Sequence, residues 1–392
     1  MHKAHKYMFS LLMVITIVDP GNIIFQSKEL FFVLTVLTGV KNFIKFSSNW
    51  TLLGSLFFSI LFPLLWIALG LTFDYNFSMD YGLMYLKSFA FFLLVNFCVD
   101  FKINYAKIFS ISTLFLAPIT LIIFCFLSIV GGDLAFLFEN EETFVVSRRA
   151  FGNIVLDPTI YYKTSPLLIF GLSYMSHTYR LKSPAFKLLI ISLCLFTLFV
   201  SGTRANIIAG ALIIIYFIYS NYFSRNSVIK YTYWLIFLAM LVLYIAPFLM
   251  TYAFDAGELS NRRKINYIND YINFWSNDTF ALVFGQGLGG GLNSSTGEVK
   301  YMLEPTYFEI IRMFGIVGGC VFSFFLLLPI ILFKLSKSSA LYKKNHYVFI
   351  AYLVYLFVEI PTNPLLISST GMIVLVVVYS TAIKTYLFEK NR

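Results

Sequence analysis

The chain has 392 residues, of which 59% are apolar and 12% charged, a net charge of +10 and a mean hydropathy of +0.80. That composition excludes an ordinary soluble globule, in which about a quarter of the residues are charged, and points to a protein that crosses a membrane many times. The excess of basic residues reads as orientation in the bilayer and not as a nucleic-acid surface, because it concentrates on one side of the expected spans.

Apolar stretches long enough for a hydrocarbon core of ~30 Å predict an all-α fold, a single membrane domain over 1–392. Twelve spans are expected, near 7–24, 30–46, 51–72, 81–98, 106–130, 161–179, 186–202, 205–222, 231–253, 306–333, 346–360 and 364–385. Asp19-Pro20-Gly21 interrupts the first of them. With the N-terminus placed in the cytoplasm, the inner segments hold 18 of the 29 basic residues, and only Asp100 and Glu389 of the 19 acids. Both termini are therefore expected to be cytoplasmic. No small-x-small cleavage site follows the basic start and its apolar run, so the first span is expected to remain as an anchor.

Two outer segments are long: a smaller loop, Gly131–Ile160, with Glu139, Glu141, Glu142, Arg148 and Arg149, and a large loop, Phe254–Leu303, between the ninth and tenth spans. Loops of that length are usually functional or disordered. In the large loop Ile265, Ile268, Ile272 and Trp275 recur at helical spacing behind Arg262-Arg263-Lys264. That pattern predicts an amphipathic helix on the outer membrane surface. The run from Gly285 to Gly291 follows no strand of a βαβ unit and lacks a GK[ST] ending, so a flexible turn is expected there and a nucleotide loop rejected. Cys98, Cys125, Cys194 and Cys320 lie in apolar runs without metal-ligand spacing and read as packing residues.

The candidate chemistry sits on the outer side. Arg204 ends the polar turn Ser201-Gly202-Thr203-Arg204 between two apolar runs. A guanidinium keeps its charge at any working pH, so Arg204 is either a site residue or an anchor reaching lipid headgroups. Arg262 and Arg263 form a second cationic position, and Arg312, about two turns inside the tenth span, a third. Separated arginines suit a pyrophosphate, which each can grip through two parallel hydrogen bonds. Glu304 and Glu309 bracket Pro305, Thr306, Tyr307 and Phe308 where the large loop returns to the membrane. Glu309 and Arg312 are three residues apart, so an intrahelical pair is an equal reading to a substrate contact. Glu304 is either a favourable acid at a helix start or a base or substrate ligand. Glu359, before Ile360-Pro361-Thr362-Asn363-Pro364, reads first as part of a cap and helix break. His2, His5, His177 and His346 all fall on the inner side, which leaves outer chemistry to carboxylates, arginines and tyrosines.

Three of these pieces stand in a familiar order. The turn Ser201–Arg204, then Ser260-Asn261-Arg262 with aromatic residues to Trp275 and Phe284-Gly285-Gln286-Gly287-Leu288-Gly289, then Glu304 to Gly315-Ile316-Val317-Gly318, resembles the O-antigen ligase/polymerase superfamily. The resemblance covers roughly residues 195–320; the N-terminal half is similar only in hydropathy and span count. Ligases of that superfamily carry a His eleven positions before a Gly at this return, where Glu304 precedes Gly315 here. The chain therefore looks more like the Wzy-type repeat-unit polymerases.

The resemblance implies a glycosyltransferase of the bacterial inner membrane. Such an enzyme joins undecaprenyl-pyrophosphate-linked oligosaccharide units into a surface polysaccharide, O-antigen or capsule, on the outer face. For that chemistry Glu304 is the candidate catalytic base, and Arg204, Arg262, Arg263, Arg312, Tyr307 and Glu309 are the candidates for binding substrate. The resemblance implies neither a metal nor a nucleotide cofactor, because the donor arrives activated. The expected partners are the lipid-linked glycan, membrane lipid and a chain-length regulator protein, with no nucleic acid. A ligase and a lipid-linked-oligosaccharide flippase are the alternatives. The first is disfavoured by the missing outer histidine, the second by cations gathered on one side.

Overall fold

The computed structural model describes residues 2–22, 25–46, 49–100, 102–130, 144–151, 154–177, 184–222, 259–294 and 297–390. Its elements begin with α1 (His2–Val18), α2 (Lys28–Phe46), α3 (Asn49–Leu56), α4 (Phe62–Phe73), α5 (Met79–Ala90), α6 (Tyr105–Thr113) and α7 (Leu116–Val130). The strands β1 (Phe144–Phe151) and β2 (Ile154–Tyr162) follow, then α8 (Leu168–His177), α9 (Pro184–Val200) and α10 (Arg204–Tyr222). The last part holds α11 (Leu259–Asn277), α12 (Thr279–Phe284), the short strands β3 (Leu292–Asn293) and β4 (Val299–Lys300), α13 (Thr306–Leu335), α14 (Ala340–Val354) and α15 (Ser369–Lys390).

The chain is mostly helical, and the all-α expectation needs one correction. β1 and β2 pair antiparallel from Phe144 opposite Tyr162 to Phe151 opposite Ile154, with an irregularity between Ser147 and Arg149. They fill part of the segment expected as the smaller outer loop and reach the start of the sixth expected span. Phe144-Val145-Val146 and Ile160-Tyr161-Tyr162 are β-branched and aromatic, residues that fit a pleated surface. In hydropathy alone the second run is indistinguishable from the head of a helix. Glu139, Glu141 and Glu142 and the ninth expected span, 231–253, lie outside the described residues.

A helix overlaps every other expected span. Four helical stretches among the described residues are long and apolar enough to cross a membrane: Trp50–Phe73, Tyr105–Ile129, α13 and α15. Pro184–Val200 and Arg204–Ser220 are apolar but shorter. α8 has 10 residues, about 15 Å of helix at 1.5 Å per residue. α15 occupies the centre, with 83% of its apolar window buried against 28% for Trp50–Phe73. Hydropathy alone does not rank the two, since Trp50–Phe73 is the more apolar stretch; α15 buries Thr370, Ser380, Thr381, Lys384 and Thr385 with its aliphatic residues.

Between helices in lipid the hydrophobic drive is weak, and close packing and hydrogen bonds hold the bundle. Pro329 inside α13 illustrates the requirement, because proline has no N–H to give the carbonyl four residues earlier. The Tyr379 hydroxyl of α15 donates to that carbonyl, Phe325 O, and the Tyr352 hydroxyl donates to Leu326 O at 2.8 Å. Neighbouring helices thus satisfy what the proline leaves open.

Candidate functional site

The glycine-rich run that sequence reads as a flexible turn is buried throughout, from Gly285 to Gly291. The cause lies in α13, where Gly315 at φ 65, ψ −177 breaks the helix. That break opens two carbonyls to outside partners: Arg312 O accepts the Gln286 N–H at 2.7 Å, and Met313 O accepts the Gly287 N–H at 3.0 Å. On the other side Trp66 O accepts the Leu288 N–H at 3.0 Å, and the Trp66 indole donates to Phe284 O at 3.0 Å. The loop is wedged between α4 and α13 at backbone contact distance. A Cβ on Gly287, at φ +85, would stand 2.4 Å from Gly70 N and from Trp66 O. Only glycine meets both the left-handed backbone and that approach.

Arg312 locks this wedge. Its side chain is fully buried, and its five N–H groups meet five acceptors. Nε donates to Glu309 Oε2 at 2.7 Å and Nη2 to Glu309 Oε1 at 2.5 Å, a bidentate pair. Nη1 donates to Gln286 Oε1 and Gly290 O, both at 2.6 Å, and Nη2 also reaches Tyr301 O at 3.2 Å. The Tyr271 hydroxyl of α11 donates to Glu309 Oε2 at 2.8 Å. Of the two readings open for Glu309 and Arg312, the geometry matches the intrahelical pair. Arg312 is expected on a substrate pyrophosphate, but its guanidinium is occupied by protein acceptors and ties the large loop to α13.

α11 forms where the isoleucine spacing predicts a helix, and it packs on the protein through its Tyr271 side. Tyr271 is buried and packs with Trp275 and Phe308, together with Tyr267, Phe274, Leu292 and Leu303. Ile265 and Ile272 stay exposed at 45% and 53%, which leaves them as the face available to lipid. Tyr271 serves this interior with both parts of its side chain, the ring against Trp275 and Phe308 and the hydroxyl on Glu309.

A second buried network lies around Glu359. This carboxylate ends a five-residue π-helical segment, Tyr355–Glu359, followed by the 3₁₀ turn Ile360–Thr362. It is fully buried. With its amide assigned from its surroundings, Asn206 donates to both Glu359 oxygens at 3.1 and 3.0 Å. The Asn206 oxygen then accepts the hydroxyls of Ser201 at 2.8 Å, Thr203 at 2.9 Å and Ser165 at 2.8 Å. Asn363 donates to Glu359 Oε2 at 3.1 Å, and its own oxygen accepts the Tyr161 hydroxyl at 2.7 Å. Asn363 O accepts the Thr306 hydroxyl at 2.9 Å, at the first residue of α13. The segment read as cap and helix break therefore holds a carboxylate on the motif turn Ser201–Arg204.

The remaining candidates lie on α10, on α11 and about the start of α13. Arg204 opens α10, two residues before Asn206, and is half-buried. Glu304, two residues before Thr306, is partly exposed and pairs with Lys264 Nζ at 3.4 Å. Arg262 and Arg263 are exposed on the same helix as Lys264. Tyr307 is 37% exposed and its hydroxyl donates to Leu356 O at 2.5 Å. The structure thus joins Glu304 to Lys264, and joins the 201–206 segment to the start of α13 through Glu359 and Asn363. Arg312 and Glu309 belong instead to the glycine wedge. Sequence reasoning missed Asn206, Asn363, Ser165, Tyr161 and Gln286. A signal was available for Asn206, an amide inside an apolar run, which needs a partner when buried.

Outside the spans, Tyr75 and Asp278 clasp the start of α12. The Tyr75 hydroxyl donates to Asp278 Oδ2 at 2.5 Å, and Asp278 Oδ1 caps the helix through Ala281 N–H at 2.9 Å. Burial and the adjacent carboxylate push the Tyr75 phenol up to about 12. Burial opposes the charge on Asp278, but the Tyr75 hydroxyl and the Ala281 and Phe280 N–H groups together hold its carboxyl below the ordinary value.

No family model, curated protein or solved structure matches the chain.

Proposed function

We propose that the chain is a glycosyltransferase that polymerises undecaprenyl-pyrophosphate-linked oligosaccharide units at the outer face of a bacterial inner membrane. One observation supports this reading above the others. The three motif pieces that resemble the superfamily, far apart in sequence, are linked by contacts: Ser201 and Thr203 to Asn206, Asn206 to Glu359, Glu359 to Asn363, Asn363 to Thr306 beside Glu304, and Glu304 to Lys264 beside Arg262 and Arg263. In this reading Arg204, Arg262 and Arg263 stabilise charge on the leaving pyrophosphate. Glu304 takes the proton of the attacking hydroxyl, being the carboxylate of the group that a substrate can reach. Glu309 and Arg312 frame the loop, and the Glu359 network holds the turn that carries Arg204. The membrane arrangement in this reading has twelve spans with both termini in the cytoplasm and a chain-length regulator as partner.

A deletion strain tests the reading through its glycan. Lipid-linked single units with no long chains are the expected product. Long chains that fail to reach their final acceptor would make the protein a ligase, and single units retained on the cytoplasmic face would make it a flippase. Glu304→Gln should stop polymerisation at unchanged protein abundance, and a normal glycan ladder from that variant would end the role given to Glu304. Arg204→Lys should retain part of the activity that Arg204→Ala loses, because lysine keeps the charge without the two-pronged grip.

A further inference from the structure

At the end of the bundle opposite Glu359, an open cavity of about 100 Å³ is lined by the start of α6, the start of α14 and the last turns of α15. A water needs about 10–15 Å³ of such space, so the cavity has room for a group of several heavy atoms such as a tetrahedral anion. Its wall carries three lysines, Lys102, Lys344 and Lys384, with Asn104, Asn345 and Ser380. Lys384 is buried, and its ammonium is fixed by Asp100 O at 2.7 Å and Ile103 O at 3.0 Å. Lys102 and Lys344 are exposed at the mouth.

The second observation is Asn345. It is 97% buried on this wall, and its Oδ1 has no hydrogen-bond partner. A buried amide atom without a partner is costly, and a half-turn of the amide presents either an acceptor or an N–H₂ to the cavity. The carboxylate nearest the site is Asp100, whose Oδ2 faces His2 Nδ1 at 2.8 Å and whose Oδ1 accepts the Lys102 N–H at 2.8 Å. Its oxygens are committed to these partners, while three ammonium groups line the cavity. The N-terminus of α6, capped by Asn104, adds its positive dipole end.

We propose that this cavity binds a phosphate group, supplied by the headgroup of an anionic phospholipid or as free inorganic phosphate. Basic pockets between helix ends at a membrane surface have the charge to hold such headgroups. The proposal is independent of the glycosyltransferase reading, because it uses no residue of that site. The test is thermal denaturation of the purified full chain in detergent, with phosphatidylglycerol, diacylglycerol or inorganic phosphate added. Phosphatidylglycerol should raise the melting temperature where diacylglycerol, which lacks the phosphate, does not. A matching rise with inorganic phosphate identifies the phosphate alone as the ligand, and a rise with phosphatidylglycerol only identifies the lipid. The variant Lys102→Gln/Lys344→Gln changes exposed side chains and should leave the ligand-free melt unchanged while weakening apparent affinity about tenfold or more. Asn345→Asp, nearly the same shape, should repel the anion and abolish the response. Equal effects of phosphatidylglycerol and diacylglycerol without a phosphate effect, or a full response in both variants, would overturn the proposal.

Discussion

Replacing Arg312 by methionine tests the account of the glycine wedge most directly. The substitution keeps an unbranched side chain in the same space but removes five donors, three of which hold Gln286, Gly290 and Tyr301 against α13. It also leaves the buried Glu309 carboxylate with the Tyr271 hydroxyl as its remaining partner among the contacts described. Breaking a buried ion pair from one side costs about 3–5 kcal/mol. At 1.36 kcal/mol per factor of ten, that loosens the wedge by about 10² to 5 × 10³-fold. Amide hydrogen exchange is the suitable assay, since it reads opening of the wedge locally, residue by residue. The amides of Gln286, Gly287 and Leu288, all bonded to α4 or α13, should exchange faster by that factor, and those of α15 should not change. Adding Glu309→Leu removes the stranded charge, so the double variant should recover much of the loss. Unchanged exchange at 286–288 in Arg312→Met, or a double variant as open as the single one, would refute the argument.

Other expectations follow from the same geometry. Gly287→Ala, whose Cβ meets backbone at 2.4 Å, should open the same amides, whereas Gly297→Ala, at φ +82 but with open space around it, should leave them unchanged; exchange at 286–288 compares the two. Asp278 has its folded pKa held below the ordinary 3.8, so its stabilisation of the α12 start is present above that value and is lost as pH falls through the lowered one. Exchange at Ala281 measured across pH 5 to 2 should show that loss, and Tyr75→Phe should shrink it. Glu359→Gln turns an acceptor of three N–H bonds into an amide with one oxygen, so glycan ladders should shorten at equal abundance; an unchanged ladder would free the turn at Arg204 from dependence on that carboxylate.

The residues show why some of this was legible in the sequence. Apolar runs, basic segments and the spacing of Glu309 and Arg312 are local properties, and a helix converts spacing directly into a shared face. The mostly helical fold, the position of α11 and the intrahelical pair are visible at that level. What the sequence could not settle is which distant group a buried polar atom meets. Asn206 and Glu359 read as an amide and an acid in separate apolar runs, and only packing of α10 against the Tyr355–Glu359 segment makes them partners. Glycines from 285 to 291 read as slack, because their demand for close approach depends on Trp66 and on the break at Gly315, both remote in sequence. The face of α11 that packs inward carries Tyr271, whose hydroxyl reaches Glu309, a partner 38 residues away that periodicity does not name. Periodicity is written along one segment, whereas satisfying buried hydrogen bonds is a property of several segments at once, and that requirement was met only in the tertiary structure.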